Sequence, residues 1–186
     1  MYKLCKTEQS AARQRQLEQG LLEAMLTQQY EDISVSDLCD QIGIPRKSFY
    51  RYFASKDGAL VALLDHTLLE FEQFPSGMGK GKVDGELTRY FRFWYAHKPL
   101  LDALERSRLS GMLMERATVH SLNEHLEHLP VMEPGVRRMA LTFAICGLLS
   151  VVTQWHHGGF RETPEEMARV ATVMLMKPLI PTEDKM

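Results

Sequence analysis

The chain has 186 residues, 45% of them hydrophobic and 25% charged, with a formal net charge of −2. That balance is ordinary for a globular protein and excludes disordered, collagen-like and disulfide-scaffold classes, and a chain of this length buries roughly 70% of its unfolded surface without help from metals or disulfides. A near-neutral total also speaks against a nucleic-acid binder, which ordinarily carries a basic excess.

Helical periodicity dominates from the start. Leu17, Leu21, Ala24, Met25 and Gln28 repeat along one face of a first helix over 8–28, widened by Leu22 and Leu26. Ser34 and Asp37 have the spacing of a capping box, opening a short second helix with Val35, Leu38, Cys39 and Ile42 on its apolar side. Gly43 suits the left-handed position that ends such a helix, and Pro45 suits the first position of a third. This third helix runs to about Tyr52, with Phe49, Tyr52 and Phe53 turned inward. Ser55 reads as the N-cap of a long fourth helix reaching Phe71, and the glycine-rich stretch 75–82 reads as a loop.

Leu87, Tyr90, Phe91, Trp94 and Tyr95 mark a fifth helix, and Leu100, Leu101 and Leu104 mark a short sixth after the break at Pro99. A seventh covers 109–128, stopped by Pro130. Pro134 opens an eighth that ends at His157 before two glycines. Thr163, Pro164 and Glu166 combine an N-cap, a first-position proline and a capping box at the start of a ninth, which ends before Pro178. About nine helices and no strand pattern predict an all-α fold.

Three cysteines (Cys5, Cys39, Cys146) at wide spacing read as small core residues in a reducing interior. No continuous apolar run stands at the first residues, and the longest, 143–152, is about half of a bilayer span. A cytoplasmic protein without membrane contact is expected. His120, His125 and His128, with Glu124 and Glu127, lack metal-site spacing and read as a solvated helix face. The run 77–82 lacks the order of a phosphate-binding loop, and no nucleophile elbow appears. Neither an enzyme nor a metal nor a cofactor is expected.

Two short helices joined through Gly43 have the shape of a helix-turn-helix, a shape that ordinary helical bundles also contain. The side chains add to it. Residues 45–56 hold Arg46, Lys47, Arg51 and Lys56 and no acid, a local charge of +4, and residues 1–15 carry +3. Charge placement therefore outweighs the near-zero total.

The stretches 30–39 and 42–57, with Phe49, Tyr50, Tyr52, Phe53, Ser55, Lys56 and Asp57 at fixed spacing, closely resemble the N-terminal domain of TetR-family transcriptional regulators. The resemblance covers about residues 10–65, with a weaker echo in Gly147, Leu148, Trp155 and the helix start at Thr163. Pro45 stands where many members have Ser or Thr, and Lys47 where many have Gly. The resemblance implies a three-helix DNA-binding domain over 1–56 and a helical effector-binding and dimerisation domain over 57–186. It implies phosphate contacts from Ser34, Ser36, Tyr52 and Lys56, and base contacts in the major groove from Arg46, Lys47, Ser48, Tyr50 and Arg51.

Ala140, Ala144, Gly147 and Val151 form a small-residue stripe on the eighth helix that allows close helix approach. With Val170, Val173 and Met174 of the ninth it fits an intersubunit four-helix bundle, as the resemblance implies, or packing within one subunit. Phe71, Phe91, Trp94, Tyr95, Met112, Phe143 and Cys146 suit the wall of a pocket for a small apolar or aromatic effector, and equally an ordinary core. The expected protein is a homodimeric regulator on a palindromic double-stranded operator, a repressor by the family's habit, released by its effector. A DNA-organising or partner-binding adaptor of the same fold is the alternative.

Overall fold

The computed structural model describes residues 2, 3, 5, 7–75, 83–124 and 133–176. Among these the all-α expectation holds. The helices are α1 (Glu8–Met25), α2 (Val35–Gln41), α3 (Arg46–Tyr52), α4 (Lys56–Gln73), α5 (Val83–Ala96), α6 (Lys98–Arg106), α7 (Ser110–Glu124), α8 (Pro134–His157) and α9 (Pro164–Met176). A 3-10 turn at Tyr30–Asp32 and one isolated antiparallel bridge between Tyr2 and Phe53 were not foreseen. Of the expected loop at 75–82 all but Pro75 lies outside the described residues, as do His125, Glu127 and His128.

The caps form where the sequence places them. Ser34 Oγ accepts from the Asp37 N–H at 3.0 Å, and its hydroxyl donates to the Asp37 carboxylate at 2.6 Å. Ser55 Oγ accepts from the Gly58 N–H at 3.2 Å. At α9 the box is reciprocal: Thr163 Oγ1 accepts from Glu166 N at 3.2 Å, and Thr163 N donates to Glu166 Oε2 at 2.8 Å. These bonds satisfy backbone donors that a helix start leaves unpaired. Two boundaries differ. α1 ends at Met25 rather than 28, so Gln28 is exposed instead of continuing the buried face. Pro45 is not the first residue of α3 but its N-cap, with ψ 138° in the extended region.

The chain divides into two compact units, one from Met1–Glu70 with Pro99–Cys146, the other from Phe71–Lys98 with Gly147–Met186. In the first, Leu17, Leu21 and Met25 of α1 share a solvent-free core with Leu38, Phe49, Phe53, Leu60 and Leu64. Gly20 lets α1 approach the α2–α3 turn: a Cβ there would lie 2.5 Å from Ile42 Cγ2. Arg116 of α7 grips Asp65 of α4 through two hydrogen bonds of 2.6 and 2.9 Å. In the second unit α5 and α9 pack side by side, tied at the rim by Arg92 Nε donating to Glu165 at 2.7 Å.

The sequence-based limit on apolar length needs correction. α8 has 24 residues with a mean hydropathy of 1.6 over its best window, long and apolar enough to cross a membrane by length and composition. Gly147 and Ser150 interrupt the apolar run but not the helix, so the run alone understates the segment.

Candidate nucleic-acid interface

α2 and α3 are joined by four residues, and the geometry of that joint follows from one glycine. Gly43 has φ +66°; its N–H donates to Asp40 O at 3.3 Å while Ile44 N donates to Cys39 O at 2.9 Å. This is the Schellman arrangement, which satisfies the last carbonyls of α2 and turns the chain sharply. Ile44 then enters the core, and Pro45, unable to donate, starts α3 without losing a bond.

α3 has two unlike faces. Phe49 is fully buried and Phe53 nearly so, with ring centroids 5.2 Å apart. Arg46, Lys47 and Arg51 are exposed, Ser48 is half-buried, and Tyr50 is exposed with its ring edge-on to Phe49. None of the three cations makes a hydrogen bond or ion pair among the described residues. Three solvated cations on two turns of helix, with no carboxylate neutralising them, make a surface suited to phosphate and base edges.

The four residues expected at phosphates fare differently. Ser34 is exposed at the start of α2 but its hydroxyl is engaged in the cap. Ser36 is half-buried beside it, and Tyr52 is buried. Lys56 is held inward. Its ammonium donates to the carbonyls of Tyr30, Ile33 (2.7 Å) and Glu31 (3.3 Å), and lies 4.3 Å from the Tyr30 ring centroid. An ammonium has three protons, and all three are occupied by this loop. The neighbouring Asp57 accepts the Tyr30 hydroxyl at 2.6 Å. Burial first, then that carboxylate, pushes the Tyr30 phenol well above its ordinary value. Lys56 and Asp57 thus clamp the 3-10 turn to the start of α4, a task that spacing alone did not reveal.

The residues expected to line an effector pocket are divided between the two units. Within the second unit Phe71 packs edge-on to Tyr90 and Phe93, whereas Phe91 and Tyr95 turn to Trp155, at 5.7 and 5.8 Å. Trp94 is buried, and its indole N–H and the Tyr90 hydroxyl are buried without a well-formed hydrogen-bond partner. In the first unit Met112 and Cys146 are half-buried, and Thr118 Oγ1 lies 3.7 Å from Cys146 Sγ. Phe143 is 76% exposed and belongs to an outward stripe of α8 with Val136 and Met139. A cleft bounded by Leu26, Gln29, Asp102, Glu105 and Arg106 contains none of the expected residues. Of the positions expected at a dimer interface, Ala140 and Gly147 are exposed, Ala144 and Val151 half-buried, and Val170, Val173 and Met174 exposed.

Comparison with known proteins points the same way as the joint and its cations. The profile of bacterial regulatory proteins of the tetR family matches residues 21–63, which span the end of α1, the helix-turn-helix and the first turns of α4. The HTH-type transcriptional regulator EthR of Mycobacterium tuberculosis is 28% identical over 89 residues, which are 44% of this chain and 41% of EthR. The chain thus spans about two fifths of that relative's length. A tetR-family transcriptional regulator from Streptomyces coelicolor superposes with TM-score 0.55 at 22% identity, covering 89% of this chain and 82% of that one. The fatty acid degradation regulator FadR from Bacillus halodurans superposes with TM-score 0.61 at 15% identity, covering 96% of this chain and all of that one. FadR from Bacillus subtilis, solved with stearoyl-CoA, gives 0.56 at 14%, over 89% and 99%. Such distant likenesses establish the shared fold, and the profile match shows that the helix-turn-helix stretch, residues 21–63, is similar to that of bacterial regulatory proteins of the tetR family.

Proposed function

We propose that the chain is a dimeric, sequence-specific transcriptional regulator, acting as a repressor in the cytoplasm and released from DNA by a small effector. The observation that carries this reading is the outer face of α3, where Arg46, Lys47 and Arg51 stand exposed, without ion-pair partners among the described residues, around Ser48 and Tyr50. These five read bases in the major groove, while Ser34, Ser36 and Tyr52 meet phosphates. Residues 1–56 serve as the reading head and 57–186 as the sensing and dimerising body. No catalytic step, metal or cofactor belongs to this reading.

One reading head fits only half of a symmetric site, so a second copy is needed. The outward apolar positions of α8 and α9 favour a second copy as their cover. α8 buries Leu141, Leu149, Val152 and Trp155 and bares Val136, Met139 and Phe143, with Arg137 and Arg138 near one end and His156 and His157 at the other. A helix with one side already packed and the other in an open stripe suits a helix–helix interface better than lipid on all sides. For the effector, the aromatic surroundings of Trp94 and Tyr90 favour an apolar or aromatic molecule. The stearoyl-CoA held by the Bacillus subtilis regulator is in keeping with an apolar effector in this fold.

Selection of bound duplexes from a random-sequence pool tests the reading. The expected result is a two-fold symmetric site whose half-sites are about 34–36 Å or a multiple apart, bound roughly 10³-fold or more tightly than bulk DNA. Equal retention of all sequences overturns it in favour of a DNA-organising protein, and no retention in favour of a partner-binding adaptor.

A further inference from the structure

Tyr2 and Lys3 stand ahead of α1, yet they form a strap laid against the end of α3. Tyr2 pairs with Phe53, and the Lys3 N–H donates to Tyr52 O at 3.0 Å. The Tyr2 hydroxyl donates to Asp65 Oδ2 at 3.0 Å, and its ring meets the His66 ring edge-on at 5.6 Å. Farther along, Cys5 Sγ donates to Gln14 Oε1 at 2.7 Å. Burial first, then the Asp65 carboxylate, pushes the Tyr2 phenol up to about 12, in keeping with a side chain held inward.

Neighbouring side chains on an extended chain face opposite sides. With Tyr2 turned into the fold, Lys3 is left outside, exposed and without an ion-pair partner among the described residues. Its backbone is bonded to the residue that follows Arg51, so the cations of α3 gain a neighbour from a separate segment. A lysine on a frayed segment loses conformational entropy when it binds; one on an anchored strap has already lost much of it.

We propose that the strap is a second DNA-contacting element, in which Lys3 takes a backbone phosphate of the duplex engaged by α3. The proposal rests on the DNA-binding reading above. A phosphate contact raises affinity for all sequences alike and fixes orientation rather than sequence choice.

The test is the salt dependence of binding to a mixed-sequence duplex, measured with the full chain, so no knowledge of the operator is needed. Lys3→Gln is expected to flatten the slope of log affinity against log salt by about 0.9, or about 3.5-fold between about 50 and 200 mM salt, and Lys3→Arg to restore it. Tyr2→Ala, which keeps the charge but removes the anchor on Asp65, is expected to flatten it as well, at a temperature where thermal melting shows the variant folded. An unchanged slope in Lys3→Gln, with the expected loss in Arg51→Gln, overturns the strap proposal and leaves the DNA-binding reading standing. A wild-type slope in Tyr2→Ala also overturns it, because Lys3 then acts as diffuse charge. Absence of salt-dependent binding by the wild-type chain overturns both.

Discussion

Replacing Lys56 with Ala separates a structural lysine from a phosphate-binding one. Its ammonium donates to the carbonyls of Tyr30, Glu31 and Ile33 and lies over the Tyr30 ring. Three charge-assisted bonds at about 1.5 kcal/mol each, plus about 0.5 kcal/mol for the ring contact, give a gross contribution near 5 kcal/mol. The side chain is half-exposed, so water replaces part of the lost bonding, and truncation releases up to about 2 kcal/mol of rotamer entropy. A net loss of about 2–3 kcal/mol remains, which for a chain of this size lowers the melting midpoint by about 4–12 °C. The assay pairs thermal unfolding followed by circular dichroism with the salt slope of DNA binding taken well below the midpoint. Lys56→Met, which keeps the stem but not the charge, should melt between the two. The slope should stay at the wild-type value in both variants. An unchanged midpoint with a slope flatter by about 0.9 would refute the assignment, because the lysine would then leave its carbonyls for a phosphate.

Gly20→Ala should destabilise by about 1–2 kcal/mol despite alanine's better helix propensity, since the new methyl would lie 2.5 Å from Ile42 Cγ2; chemical denaturation should show the cost shrinking in an Ile42→Ala background. Arg108, with φ 56° after α6, should become about 0.5–1 kcal/mol more favourable as Gly, read as a raised melting midpoint. Phe143→Asp should convert the proposed dimer to monomer in sedimentation velocity without loss of helical signal, and a persistent dimer would move the interface elsewhere. At α9 the Thr163 N–H holds the Glu166 carboxyl below its usual 4.5, and the Arg92 guanidinium holds that of Glu165 below it. Groups depressed in the fold stabilise it above the unfolded value, and that contribution is lost as pH falls through the lower folded value. Protection of the α9 amides, taken relative to their intrinsic exchange at each pH, should therefore fall on acidification below about pH 4.5, less so in Glu166→Gln.

What the sequence made legible was local. The cap at Ser34, the left-handed Gly43, the box at Thr163 and the inward Phe49 depend on residues within about one or two helical turns of each other, so spacing is enough to find them. Contacts that join distant segments were not legible. Nothing in the run of residues says that Lys56 faces the carbonyls of 30–33, because those carbonyls are brought together by a 3-10 turn that has no strong pattern of its own. The strap was missed for the same reason: Tyr2 meets Asp65 across 63 positions. Phe143 shows a different limit. Apolar periodicity marks a face as one to be covered, and does not say whether the cover is the same chain.

The bond from Tyr2 to Asp65 also imposes an order in time. Tyr2 is synthesised long before α4, and Asp65 acquires its second partner only when Arg116 of α7 has been made. The strap can dock once Asp65 is made, but Asp65 gains its second partner only after a further loop, across 51 positions to Arg116, has closed. On a ribosome moving at about 5–20 residues per second, the stretch from Asp65 to Arg116 takes several seconds to make, so Tyr2 can hold Asp65 for that long before Arg116 joins them.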